Sequence, residues 1–151
     1  MIIPLLKNNG LWVFLVVTVM STSVFGRMIE TPDLDAYRWK KRVLFIFATS
    51  ERDLRYRSFL KEMEGKKEKM VDRDLVLGHV FERSGGRFDD VALTKQACDN
   101  LRKRFSIGPG GFVVVLIGKD GGEKLRQSSR VNLMDIFSII DAMPMRKWEM
   151  R

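Results

Sequence analysis

Three apolar runs limit the folds open to this chain: Arg42–Thr49 (RVLFIFAT), Asp74–Phe81 (DLVLGHVF) and Phe112–Ile117 (FVVVLI). Each is short, rich in β-branched and aromatic residues, and too continuously apolar to leave one face in water. Each therefore reads as a strand covered on both sides. The segments between them carry helical spacing. Ser50, with Asp53 three residues on, reads as a capping box. Tyr56, Leu60 and Met63 then recur at i, i+4 and i+7, a buried stripe that ends near Gly65. Lys66–Lys69 reads as a solvated face or turn and Arg83–Asp90 as a loop. Thr94 opens a second helix with Cys98, Leu101 and Phe105 on its apolar side. Gly108-Pro109-Gly110-Gly111 breaks the chain before the third run. Lys119-Asp120-Gly121-Gly122 then turns into a short return strand, Glu123–Arg126, because Asp-Gly accepts the positive φ of a tight hairpin. Asn132 with Asp135 caps a last helix, buried through Leu133, Ile136, Phe137 and Ile140 and ended by Pro144. The order is β-α-β-α-β-β-α. Strands separated by helices imply parallel right-handed crossovers, and the late hairpin adds an antiparallel pair.

Cysteine usage narrows the chemistry. Cys98 is the one cysteine and His79 the one histidine in 151 residues. No intramolecular disulfide can form, and a closed Cys/His zinc shell is excluded. The helical spacing puts Cys98 toward the core, where a thiol behaves as a small inert hydrophobe. The net charge of +8 and a pI near 9.9 favour anionic partners without naming one. Residues 1–26 stand apart. Lys7 is the only charge before Arg27, Leu11–Met20 is an apolar run, and the small residues Ser21-Thr22-Ser23 follow. That is the pattern of a secretory signal, and the run is short of the ~20 apolar residues of a spanning helix. An exported chain is expected, periplasmic or secreted, with an uncleaved anchor as the alternative. The divisions are then 1–26 signal, 27–38 lead-in, 39–144 folded domain and 145–151 basic tail.

The α/β pattern, a central mixed sheet of about four strands with helices on both faces, is thioredoxin-like. Four blocks carry a more specific resemblance: WKKRVLFIFATS from Trp39, Asp72-Arg73-Asp74-Leu75-Val76, GFVVVLIGKDGGEKLR from Gly111, and IDAMPMRKWEMR from Ile140. Across roughly residues 35–151 the chain resembles the P-DUDES family. This is a thioredoxin-like domain of unknown function found in small exported bacterial proteins and in vertebrate sushi-repeat and equarin-type matrix proteins. The resemblance implies a fold and export, and no established activity for the bacterial members. In thioredoxins a Cys-x-x-Cys opens the helix after the first strand, where the helix dipole stabilises a thiolate. Here that slot falls at Arg52-Asp53-Leu54-Arg55, and no cysteine occurs from Thr49 to Ala97. Thioredoxins also place a cis-proline before the third strand. Pro109 is near that position, but Gly110-Gly111-Phe112 lead into the strand.

What remains in the slot is an anion-site candidate. Thr49, Ser50, Arg52 and Arg55 would gather where free backbone N–H groups favour negative charge. Lys119, Lys124, Arg146 and Lys147 are candidates for a basic surface, with Lys40-Lys41-Arg42 and Arg102-Lys103-Arg104 as further cationic triplets. His79, beside Leu77 and Phe81, reads as a packed strand histidine. Asp72-Asp74 and Asp89-Asp90 lack a third ligand for metal work. No catalytic residue, metal or cofactor is expected. The expected function is an exported, non-catalytic binding or structural module of the cell envelope, with an anionic envelope component or protein as partner; export argues against nucleic acid. The alternatives are a one-cysteine peroxidase built on Cys98 and a basic binder of polyanions or membrane surfaces.

Overall fold

A computed structural model describes residues 28–29 and 31–151, so the expected signal segment lies outside the described residues. Strand β2 (Arg42–Ala48) is buried along its whole length, as its unbroken apolar run requires. Its side chains alternate between two cores. Leu44, Ile46 and Ala48 enter one, with Tyr56, Phe59, Ile136 and Phe137; Val43, Phe45 and Phe47 enter the other, with Phe88, Leu93, Cys98 and Leu101. On the first face lie α1 (Leu54–Met63), α2 (Lys67–Asp72), α4 (Leu133–Ala142) and α5 (Pro144–Glu149), and on the second α3 (Lys95–Arg104). Helices on both faces of a mixed sheet are the expected architecture.

The sheet is wider than expected. Besides β2 it contains β1 (Met28–Ile29), β3 (Leu75–Phe81), β4 (Gly86–Phe88), β5 (Val91–Leu93), β6 (Val113–Ile117) and β7 (Glu123–Gln127), in the order β1-β5-β4-β3-β2-β6-β7. The segment read as a loop supplies β4 and β5, an antiparallel hairpin whose turn is Asp89-Asp90, with Asp89 at φ +53°. β3 pairs parallel to β2, Arg42 facing Leu75 and Ala48 facing Phe81. β6 departs from expectation and runs antiparallel to β2, Val43 against Ile117. The reason is where the chain arrives after α3. Arg102 Nη1 donates to Ala48 O at 3.4 Å and Gly110 N to Glu82 Oε2 at 2.6 Å, so Gly108–Gly111 stands at the carboxyl-terminal end of β2 and β3. A strand that starts there must run against β2.

Three helix boundaries also differ. The cap of α1 is Asp53, whose Oδ1 accepts from Arg55 N at 3.0 Å; Ser50 Oγ instead accepts from Arg52 N in the preceding turn. Phe59 joins Tyr56 and Met63 in the buried stripe, and Leu60 sits half-buried beside it. Of the two readings of Lys66–Lys69, the solvated face holds: Lys66 caps α2 and Lys67, Glu68 and Lys69 are its exposed first turn. Pro144 does not merely follow α4; it occupies the first turn of α5, where a missing N–H costs nothing. The supposed tail is thus a docked helix.

Charge holds it there. Arg42 is fully buried at the start of β2, and donates through Nη1 to Glu149 Oε2 at 3.1 Å and through Nη2 to Glu149 Oε1 at 3.2 Å. Lys119, 8% exposed, reaches Glu149 at 2.6 Å and Asp74 at 2.8 Å. Arg146, 5% exposed, binds the Asp72 carboxylate, the Asp72 carbonyl at 2.7 Å and Asp141 at 3.3 Å. Arg73 bridges to Asp141 at 2.6 Å and covers the Phe137 ring at 4.6 Å. Burial by itself would raise the Glu149, Asp74 and Asp141 carboxyls, but their cationic partners outweigh it and hold all three below the usual range.

Gly78 is a point of close packing between two aromatic rings of the sheet. An added Cβ would lie 2.6 Å from Cε1 of the fully buried Phe45 ring and 3.2 Å from Phe88 Cδ2. Gly78→Ala should lower unfolding free energy by about 1–3 kcal/mol in urea titration. Gly108→Ala, with open space around it, should change it by no more than about 0.5 kcal/mol. Equal effects would contradict this packing.

Candidate functional site

The carboxyl-terminal ends of β2 and β3, the start of α1 and the Gly108–Gly111 turn converge where a thioredoxin carries its cysteines. The residues there satisfy one another. Arg55 Nε donates to Asp53 Oδ1 at 3.0 Å, and its Nη2 to Asp53 Oδ2 at 2.7 Å and to Gly110 O at 3.0 Å. The Arg55 hydrogen bond is the main reason the Asp53 carboxyl falls to about 2. Opposite, Arg102 Nη2 binds Gly108 O at 2.6 Å and Glu82 at 3.3 Å. At this helix start the Thr49 and Arg55 N–H groups both donate to the Asp53 carboxylate, Asp53 N donates to Ser50 O at 3.1 Å, and Arg52 is exposed. An incoming anion would have to displace the Asp53 carboxylate from both the guanidinium and the Arg55 N–H. No cis peptide occurs among the described residues, at Pro109 or elsewhere.

Cys98 lies on α3, fully buried, packed against Gly86, and burial pushes its thiol above the ordinary value. It is remote from the α1 start in both sequence and surroundings. The basic-surface candidates separate. Lys119 and Arg146 are buried and consumed by the ion network, a correction to their reading as surface charges. Lys124 is exposed but bound to Asp120 at 2.5 Å, and Lys147 is exposed. Among the triplets, Lys40–Arg42 and Arg146–Trp148 share the network's end of the molecule, whereas Arg102 turns to Ala48 at the other end. Among the described residues no three His, Cys, Asp or Glu side chains gather to hold a metal ion.

The sequence reading missed a cleft of about 520 Å³ lined by Glu51, Tyr56, His79, Phe81 and Arg87. The Tyr56 hydroxyl and His79 Nδ1 lie 3.1 Å apart, their rings edge to face. Burial, assisted by Glu51, raises the Tyr56 hydroxyl to about 12. Burial, assisted by Arg87, lowers the His79 imidazole to about 4, so it is neutral at physiological pH. Packed histidine was the expectation; its tyrosine partner lay 23 residues away in sequence and gave no signal.

Residues 33–149 match the family described as Domain of unknown function (DUF4174), and the chain belongs to that family. It is 31% identical over 120 residues to the sushi repeat-containing protein SRPX of Rattus norvegicus, and 26% identical over 133 residues to coiled-coil domain-containing protein 80 of Danio rerio. Each alignment covers 78% of this chain, which spans only 26% and 15% of those relatives' lengths. Among solved structures, a reduced 2-Cys peroxiredoxin of Plasmodium vivax matches with TM-score 0.61 at 17% identity, covering 76% of this chain and 84% of that one. Thioredoxin peroxidase I of Plasmodium yoelii matches with TM-score 0.60 at 16% identity, covering 76% and 79%. The fold is therefore thioredoxin-like; at these identities the likeness concerns the fold alone.

His79 gives the site a pH signature. Its folded pKa, about 4, lies below the ordinary 6.5, so below pH 6.5 the unfolded chain gains a proton that the native chain refuses. Stability present above pH 6.5 should decline toward pH 4, by up to about 3 kcal/mol. The depressed carboxylates, whose unfolded values are 3.8 to 4.5, add a decline of their own below about pH 5. Urea titrations from about pH 6.5 to 5 should show the histidine's decline in the wild type and a markedly shallower profile in His79→Gln; parallel profiles would refute the assignment.

Proposed function

We propose that this chain is a non-catalytic thioredoxin-fold module that binds or supports other components of the cell envelope. The observation that carries the reading is the replacement of a thiol at the α1 start by the Asp53–Arg55 pair, closed onto Gly110. Thiol chemistry there lacks a cysteine, and the one cysteine of the chain sits elsewhere, buried and with a raised pKa. That burial counts against the peroxidase reading, which the peroxiredoxin-like scaffold alone would invite. The P-DUDES resemblance and the relatives that combine such a domain with much longer chains favour a module whose role is contact. Export belongs to the same proposal and rests on the charge and apolar pattern of residues 1–26.

Thiol reactivity tests it. Cys98 in the native protein should resist a thiol reagent such as dithiobis(nitrobenzoate) and label fully only in denaturant. Hydrogen peroxide should disappear at the same background rate with wild type and Cys98→Ser. Rapid native labelling together with peroxide turnover that vanishes in Cys98→Ser would replace the module reading by an enzymatic one.

A further inference from the structure

Two exposed tryptophans flank the ion network, and the core accounts for neither. Trp39 is 62% exposed and Trp148 69% exposed, with Met150 at 54% and Val71 at 64%. They sit at one end of the molecule. Trp39 N donates to Lys119 O at 2.6 Å, and the Lys119 ammonium binds Glu149, which lies between Trp148 and Met150 in sequence. Val71 precedes Asp72, whose carbonyl accepts from Arg146 on α5. The backbone at Trp39 sharpens the question. Its φ is +64°, a left-handed conformation that favours Gly or Asn and disfavours a bulky residue. Neither packing nor backbone preference explains a tryptophan there.

The charge around these side chains is one-sided. The acids of this end, Asp72, Asp74, Asp141 and Glu149, are engaged by buried or half-buried Arg42, Arg73, Lys119 and Arg146. Lys40, Lys67, Lys69 and Lys147 are exposed and form no ion pair among the described residues. Arg151 covers the Trp148 ring at 4.5 Å. Glu68 and Asp72 are the exposed acids of α2, and Arg146 binds the second; near Trp39 the exposed Asp35 pairs with Arg38 at 3.6 Å. Tryptophans that are wet on one side, interleaved with unpaired lysines and arginines, match the headgroup region of an anionic bilayer, where indole rings settle and cations meet lipid phosphates. No helix among the described residues is long and apolar enough to cross a membrane, so the contact would lie on the surface.

We propose that the end of the fold bearing Trp39, Lys40, Lys147, Trp148 and Arg151 docks onto an anionic lipid bilayer. This deepens the binding-module reading and rests on it. The N-terminal apolar run could partition into lipid by itself, so the test must report from this face. In full-length protein carrying Trp12→Phe, only Trp39 and Trp148 fluoresce. Vesicles of phosphatidylcholine with phosphatidylglycerol, some bearing brominated acyl chains, should shift their emission to the blue and quench it. Partitioning should be about tenfold or more stronger than onto pure phosphatidylcholine, and should weaken steeply with salt. The triple variant Lys40→Glu, Lys147→Glu, Arg151→Glu should lose that preference, while its circular dichroism and urea midpoint confirm an intact fold. Unchanged tryptophan emission on vesicle-bound protein would overturn the proposal, because anchoring would then reside in the N-terminal run alone. Retention on heparin without quenching by lipid would overturn it in favour of a soluble polyanion. If the vesicle result fails while Cys98 stays silent toward peroxide, the docking face falls and the module reading stands. Peroxide turnover dependent on Cys98 would remove the module reading whatever the vesicles show.

Discussion

Arg42 sets the terms on which the rest of this fold closes. A guanidinium fully buried at the start of the central strand is strongly unfavourable unless matched, and its match is Glu149, 107 residues away on the last helix. Lys119 shares that carboxylate from the start of the β6–β7 hairpin turn, and Arg146 ties the same helix to Asp72 and Asp141. The network therefore joins β2, the end of α2, the β6–β7 turn, α4 and α5. The four sequence blocks that carry the family resemblance each contribute to it: Arg42 from the first, Asp72, Arg73 and Asp74 from the second, Lys119 from the third, and Asp141, Arg146 and Glu149 from the last. A signature of this kind describes how the domain is fastened. Buried ion pairs of this sort need not stabilise a fold more than apolar residues would, but losing one partner typically costs about 3–5 kcal/mol.

The parts of the structure written in hydrophobic pattern were legible in the sequence. β2, β3 and β6 follow from unbroken apolar runs, and α3 and α4 from stripes that leave Cys98 and Ile140 in the core. Elements too short to show a period were not legible. β4 and β5 have three residues each, and their turn uses Asp89-Asp90 in place of the usual glycine. The direction of β6 depended on where Gly108–Gly111 stands in space. Charges were the largest blind spot. Composition does not distinguish a lysine in water from one facing two carboxylates, so Lys119 and Arg146 read as surface and α5 as a tail. The same limit hid the Tyr56–His79 pair, which exists because α1 sets Tyr56 against the carboxyl-terminal half of β3.

At the end of the sheet where a thioredoxin keeps its thiols, this protein has spent the same helix start on an internal arginine–aspartate pair. The likeness to peroxiredoxins concerns the fold alone. The opposite end, fastened by the Arg42 network, has its acids paired with buried or half-buried cations and its tryptophans and several lysines turned outward. Pairing those acids is what leaves the exposed lysines unopposed, so the fastening of α5 and the character of the surface have one cause.

A double-mutant cycle between Arg42 and Glu149 addresses this account most directly. Arg42→Met, Glu149→Gln and the double variant, compared with wild type in urea at neutral pH, give the coupling between the buried Arg42 and its half-buried partner at the centre of the network. The account predicts a coupling of about 2 kcal/mol or more, with the double variant far less destabilised than the sum of the single ones. Additive effects would show that Arg42 does not hold α5, and would contradict the structural role assigned to these sequence blocks.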